Sequence, residues 1–354
     1  MKQLGLVFVL CAVLCGLAAH ASAGPVGERH LMASDATAAL RDAGRLSTIR
    51  VTVWYPAAAG ADEQRIDEKP YFIVGAAAAD AAFVDAQPRP AILLSHGNGG
   101  TARIMGWFGT ALARAGYVVI AVDHPGNNTL DKMTPAGGLL PWDRVQDLAA
   151  ALATAEADPT VGPHVDDNRV GVAGMSAGGF TALVAAGARV DMNRFVALCR
   201  AHLTGDCKPQ KELPLTLADF DRTLAAPELA GAVAHARDDH RIPQVRAAFA
   251  MAPAIVRGLP PDGLRRMRVP VAIILGDADT VAPPATNGLV AARLIPHAEL
   301  TVLPGVGHYD WLATCTPAGV AALDICADKV AQDPTHAAAI KMALAFFART
   351  LGAP

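Results

Sequence analysis

The stretch VGVAGMSAGG, residues 170–179, surrounds Ser176 with very little side chain. Ser176 stands in a Gly174-x-Ser176-x-Gly178 pattern, between an apolar run of strand character and an Ala-rich run of helix character. A serine on a sharp strand-to-helix turn is held in a strained backbone conformation. Glycines two residues to either side let strand and helix approach closely enough for that turn to form. The same pentapeptide also fits a Gly-rich turn whose serine only caps a helix. An activated serine needs more: a base, a group to orient the base, and donors for a developing oxyanion.

The sequence offers a candidate for each. In LGDADTVAPP, Asp279 follows Gly276 by three residues, just past an apolar strand, where a carboxylate can fix a histidine tautomer and stabilise imidazolium. Asp277 competes but sits closer to the strand end, and Asp-rich turns after strands also serve as helix caps. In VLPGVGHYDWL, His308 follows a strand and a Gly305-x-Gly307 loop that can deliver an imidazole over a sheet. His336, in DPTHAAAI, opens a late helix and lacks that setting. In LLSHGNGG, the turn His96-Gly97-Asn98 can direct the Asn98 backbone N–H toward a substrate carbonyl, and a side chain at Gly97 would crowd the site. The N–H of Ala177, next after the serine, is the second candidate donor. The chemistry these residues imply is acyl transfer.

Elements must position them. Ile49–Pro56 alternates like a strand, and compact apolar strands are expected at Ala91–Ser95, Tyr117–Val122, Arg169–Ala173, Ala247–Met251, Val269–Leu275 and Leu300–Leu303. Helices are expected between them, one ending near Ala113 and one over Pro141–Ala157. Strands alternating with helices and buried on both faces indicate an α/β fold with a mostly parallel sheet covered by helices. Ala57–Pro90 reads as mostly loop, with room for one short helix. Gly187–Arg246 is too long for an ordinary connection and reads as a helical cap inserted above the sheet.

The chain has 354 residues and opens with Met1-Lys2, an apolar run from Leu4 to Ala19, and Ala21-Ser22-Ala23, the form of a secretory signal cut after Ala23. The run is short for a membrane span. Leu14 stands before Cys15 where a lipoprotein signal has a small residue, which disfavours a lipid anchor. Residues 24–354 then form one large domain, exported to the periplasm or the medium. They carry 29 basic and 33 acidic residues without a basic run, which argues against nucleic-acid and anionic-membrane partners. Four cysteines remain: Cys199, Cys207, Cys315 and Cys326. They allow three pairings, of which the close spacings favour the two local ones; buried free thiols are the alternative. Neither pair has the spacing of a zinc site, and no metal is expected.

Together these residues resemble the α/β-hydrolase superfamily, and more narrowly its exported dienelactone-hydrolase-like and platelet-activating-factor-acetylhydrolase-like group. The resemblance runs from VTVWYP through SHGNGG, AVDHPGNN, NRVGVAGMSAGG and GDADTVAPP to GVGHYDWL. It implies an α/β-hydrolase fold, a triad in the chain order Ser176, Asp279, His308, and no cofactor. Dienelactone hydrolases carry a cysteine nucleophile; Ser176 in its place favours ordinary hydrolysis of a small or lipid-like carboxylic ester. Asp123 and His124, at a strand end in AVDHPGNN near the expected pocket rim, are implied to support the loop, with a direct catalytic role as the alternative. An amidase or peptidase on the same triad, and a non-catalytic binding protein on the same scaffold, remain the alternatives.

Overall fold

The computed structural model describes residues 24–327 and 332–354; the leader expected over residues 1–23 lies outside the described residues. The described strands are β1 (Val26–Ser34), β2 (Thr48–Pro56), β3 (Gln64–Glu68), β4 (Phe72–Ala79), β5 (Arg89–Ser95), β6 (Val118–Val122), β7 (Val165–Met175), β8 (Val245–Met251), β9 (Val271–Gly276), β10 (Glu299–Leu303) and β11 (Thr314–Cys315). They form one sheet in the order β10-β9-β8-β7-β5-β6-β2-β1-β4-β11, with β3 paired to β4. From β10 to β6 every neighbouring pair is parallel. β2 adds antiparallel to β6, and β1 antiparallel to β2.

Helices cover both faces because the central strands are apolar on both. In β5, Leu93 points into one core layer while Ile92 and Leu94 point into the other, as the two-residue period of a strand requires. The first layer is closed by the helices Arg144–Ala157 and Ala177–Ala185, through Leu148, Leu152 and Phe180 among others. The second is closed by Gly106–Arg114 and Gln332–Leu351, through Phe108, Phe346 and Phe347. Fold class and strand placement thus agree with the sequence expectation.

Two segments differ from it. Ala57–Pro90 is not mostly loop: it holds β3 and β4, an antiparallel pair joined at Lys69–Tyr71. FIVGAAAA hides its strand because alanine carries little β preference and blunts the inside–outside alternation. β1, over VGERHLMAS, has too many polar residues to read as a strand, yet pairs along its whole length with β2. The expected helix at Pro141–Ala157 begins as a 3-10 turn, Pro141–Asp143, before the α-helix.

Between Ala177–Ala185 and β8 lie the helices Met192–Ala201, Leu217–Leu224 and Ala230–His235. The first is capped by Asp191, whose carboxylate accepts from Arg194 N at 3.0 Å. The second has a reciprocal cap between Thr216 and Asp219. Cys199 is bonded to Cys207 in this segment, and Cys315 to Cys326 nearer the C-terminus, so both local pairs form. Among the described residues no helix is long and apolar enough to cross a membrane.

Chain order reverses at β5, which has β6 on one side and β7 on the other. The connections leaving β5 and β7 therefore diverge and leave a crevice outside the carboxyl ends of the strands. Every segment singled out for chemistry ends there.

Candidate active site

Ser176 is the single residue between β7 and the helix Ala177–Ala185, with φ 57° and ψ −117°. The turn is tight enough to require its glycines. A Cβ on Gly174 would lie 2.3 Å from the carbonyl oxygen of Gly178, and one on Gly178 would lie 2.0 Å from that of Ser95. The strained serine is fixed from both sides: its N–H donates to the Met251 carbonyl at 2.9 Å, and its carbonyl accepts from Ala254 N at 3.1 Å.

His308 reaches Ser176 from the turn after β10. Its Nε2 lies 2.8 Å from Ser176 Oγ, and its Nδ1 lies 2.7 Å from Asp279 Oδ2. A carboxylate only accepts, so Nδ1 carries the proton and Nε2 turns its lone pair to the serine hydroxyl. Asp279 is itself held, its Oδ1 accepting from Val281 N at 2.9 Å and Ala282 N at 2.7 Å. Asp277 is not part of this chain of bonds. It is exposed and accepts from Gly305 N at 2.7 Å, pinning the loop that carries His308. His336 lies apart, stacked on Trp107 and bonded to the Leu312 carbonyl.

The turn after β5 passes beside the serine. A Cβ on Gly97 would sit 3.0 Å from Met175 Sδ and 3.4 Å from Ser176 Cβ, so a side chain there would press on the serine turn and force its neighbours to shift. Asn98 and Ala177 both line the cavity that Ser176 and His308 face. Neither backbone N–H has an acceptor among the described residues, as expected for Ala177 at the first position of a helix. The Asn98 side chain accepts from Asn127 Nδ2 at 2.7 Å, and Asn127 Oδ1 accepts from Gly99 N at 3.2 Å.

Beneath this loop lies a buried polar cluster that motif reading missed. His124 Nδ1 is 2.8 Å from Asp147 Oδ2, and His124 Nε2 is 2.8 Å from Ser95 Oγ. Arg41 binds Asp147 with both terminal nitrogens, at 2.8 and 2.7 Å. His124 N donates to His96 Nε2 at 3.1 Å, which leaves the His96 proton on Nδ1, 2.6 Å from the Gly97 carbonyl. Burial holds both imidazoles well below the usual histidine range; for His96 the adjoining His124 and Arg144 add to this, and for His124 Arg144 and Arg41 do. Asp123 anchors the far end of the loop, accepting from Ala102 N at 2.7 Å. His124 and Asp123 were legible as loop supports; Arg41, Arg144 and Asp147 carry no motif, and only their placement reveals them.

The cavity measures about 1120 Å³ including its mouth. Its floor is the Ser176–His308 pair, and much of its apolar wall comes from the segment between residues 187 and 246, including Met192, Phe195, Leu213, Leu215 and Phe220. Leu139, Ile104 and Leu312 are among the residues outside that segment that add to the wall. Glu212 from the same segment hydrogen-bonds Tyr309, next to His308; burial, then that carboxylate, push the Tyr309 hydroxyl above its usual range. Among the described residues no group of three or more His, Cys, Asp or Glu is placed to hold a metal ion.

A model of the alpha/beta hydrolase family matches residues 92–323. The chain is 36% identical over 115 residues to the cutinase est1 of Thermobifida alba, a match that spans 32% of this chain and 36% of the relative. It is 31% identical over 141 residues to a cutinase of Thermobifida fusca (strain YX), spanning 39% of this chain and 41% of the relative. The chain thus spans only about a third to two fifths of the length of these relatives. In three dimensions it is similar to a ferulic acid esterase from Streptomyces cinnamoneus, with a TM-score of 0.60 at 20% identity over 94% of this chain and 92% of that one.

Proposed function

Because the chain belongs to the alpha/beta hydrolase family, we propose that it hydrolyses carboxylic esters through an acyl-enzyme on Ser176. The observation that carries this reading is the relay Ser176 Oγ–His308 Nε2–Asp279, bonded at 2.8 and 2.7 Å and open to an apolar cavity. Ser176 Oγ attacks the ester carbonyl carbon as its proton passes to His308 Nε2. The oxyanion is received by the N–H groups of Asn98 and Ala177, each such donor being worth roughly 3–4 kcal/mol in other systems. The carbon–alkoxy bond then breaks, and Nε2 returns the proton to the leaving alcohol. Water, deprotonated by the same nitrogen, cleaves the acyl-serine to release the acid. Asp279 keeps His308 in the productive tautomer and offsets the charge of its imidazolium.

The residues from about 187 to 246 act in this proposal as a cap that shapes the acyl pocket. The apolar wall they supply favours a small or lipid-like acyl group over a charged one. The relatives named cutinases support ester rather than amide substrates for this chain, and Ser176 sets it apart within the dienelactone-hydrolase-like group it resembles. Both disulfides suit an oxidising compartment, in keeping with export after cleavage near Ala23. Turnover of p-nitrophenyl esters graded by acyl length, beside the matching anilides, tests the reading. Ester turnover at least a hundredfold above anilide turnover is expected. Preferential anilide cleavage would make the chain an amidase, and no turnover of either would make it a binding protein.

A further inference from the structure

Arg144 is fully buried, yet no motif marks it and the hydrolytic steps above do not use it. It opens the helix Arg144–Ala157 and reaches four acceptors. Its Nε donates to Thr181 Oγ1 at 3.2 Å, its Nη1 to Asn127 Oδ1 at 2.9 Å, and its Nη2 to Ser95 Oγ at 3.3 Å and to the His96 carbonyl. Three of these acceptors belong to the two segments that carry the oxyanion donors, and the fourth, Asn127, lies in the turn after β6. His96 and Ser95 lead into the Asn98 turn, and the Asn127 amide oxygen that Arg144 holds also accepts from Gly99 N. On the other side, Thr181 Oγ1 donates to the Ala177 carbonyl at 2.9 Å, in the first turn after the serine.

The charge balance is unusual as well. Arg41, equally buried, has Asp147 as a bidentate partner. Among the described residues Arg144 has no carboxylate within ion-pair distance, and all four of its acceptors are neutral. A buried cation without a counter-ion is costly. Its place is on the wall of the cavity where negative charge would develop on a substrate oxygen.

We infer that Arg144 is a positioning residue that ties the Asn98 turn to the Ala177 turn, setting the separation of the two oxyanion donors and placing behind them a positive charge that has no direct ion-pair partner. The inference rests on the ester-hydrolase reading. A planar guanidinium serves four acceptors on three segments at once, which a lysine ammonium cannot do from the same position. The clamp acts on the transition state and not on the ground-state ester, so its loss should appear in kcat.

The test compares Arg144→Lys and Arg144→Gln with the wild type in steady-state ester hydrolysis and in binding of an alkyl boronic acid, which becomes tetrahedral and anionic on the serine. Loss of one oxyanion donor typically costs about 10²–10³-fold. A fall in kcat of that order is expected in Arg144→Gln, with KM within about threefold and boronate affinity falling in proportion to kcat/KM. Arg144→Lys, keeping the charge and losing the fork, should fall between the two. Should neither variant fold, Thr181→Val, which removes one acceptor at nearly constant volume, decides the matter with an expected loss of about tenfold in kcat and in boronate affinity. Unchanged kcat in a folded variant, or a kcat loss without loss of boronate affinity, overturns the clamp alone. A wild type that hydrolyses no ester overturns the underlying reading, and the clamp with it.

Discussion

Two serine–histidine–aspartate chains lie in this molecule, and bond for bond they are nearly the same. Ser176–His308–Asp279 is joined at 2.8 and 2.7 Å, Ser95–His124–Asp147 at 2.8 and 2.8 Å. Their surroundings separate them. Ser176 and His308 are each 6% exposed and face the cavity, whereas Ser95, His124 and Asp147 are all 0% exposed. Ser176 stands on a strained turn at a helix start, beside two N–H groups that have no acceptor among the described residues; Ser95 ends a regular strand. The second aspartate neutralises Arg41, and Arg144 donates to the Ser95 hydroxyl oxygen, occupying a lone pair that a nucleophile would need. Hydrogen-bond geometry alone therefore does not make a nucleophile. Access, neighbouring oxyanion donors and an unencumbered lone pair do.

The widest separation is expected at the serines. Ser176→Ala should lose ester hydrolysis by several orders of magnitude, on the order of 10⁶-fold, with an almost unchanged melting temperature. Ser95→Ala should keep activity within about tenfold and lose about 1–3 kcal/mol of stability, because His124 and Arg144 each lose a partner. Steady-state kinetics and thermal melts of both purified variants check this, and a reversal of the two outcomes would exchange the roles of the chains.

At the aspartates the contrast should be smaller but of the same sense. Asp279→Asn keeps the shape and disfavours the productive histidine tautomer, for which a loss of about 10⁴-fold in kcat is expected. Asp147→Asn instead leaves Arg41 as a buried charge without a counter-charge, and a loss of about 3–5 kcal/mol in urea unfolding is expected. Its activity per folded molecule should remain within about tenfold of the wild type.

The buried chain also makes a prediction about acid. His96 and His124 are held neutral in the fold, their affinity for protons lowered below that of the unfolded chain. A depressed histidine contributes stability that is fully present above its unfolded value, near 6.5, and is lost as pH falls below it. Unfolding free energy from urea melts should decline from pH 6.5 toward pH 5, by up to about 1.4 kcal/mol per pH unit for each histidine. A profile flat over that interval would mean that these imidazoles are not buried as neutral groups.

Much of this was legible in the chain, and for a definable reason. Ser176, Asp279 and His308 each sit in a short local pattern, a Gly-framed turn or a strand followed by a loop, so spacing along the sequence could find them. β5, β6 and β9 were legible because Ile, Val and Leu dominate them, and β7 and β8 because each holds a short apolar run free of charged residues. β4 was not, because its alanines carry no alternation, and β1 was not, because its polar side chains lie along a pairing that only β2 reveals. The Arg41–Asp147 pair joins residues 106 apart in sequence, and Arg144 meets acceptors from three separate segments. No local signal encodes such a cluster; it exists only once β5, β6 and three helices have been brought together.

The smallest expected effect lies beside the triad. Asp277→Asn retains a carbonyl oxygen able to accept from Gly305 N, so the histidine loop should stay pinned and turnover should change by no more than about twofold. A loss there approaching that of Asp279→Asn would make Asp277 the working acid, contrary to the bond from His308 Nδ1 to Asp279 Oδ2.

Covalent labelling with a fluorophosphonate, followed by peptide mass mapping, addresses the two serines in a single sample of unmodified protein. The probe requires a reactive hydroxyl beside an oxyanion site, and both chains compete for it under the same conditions. One phosphonyl group per molecule is expected, on the peptide that contains Ser176, with Ser95 unmodified. An adduct on Ser95, or a folded protein in which Ser176 stays unlabelled after prolonged exposure, would contradict the account.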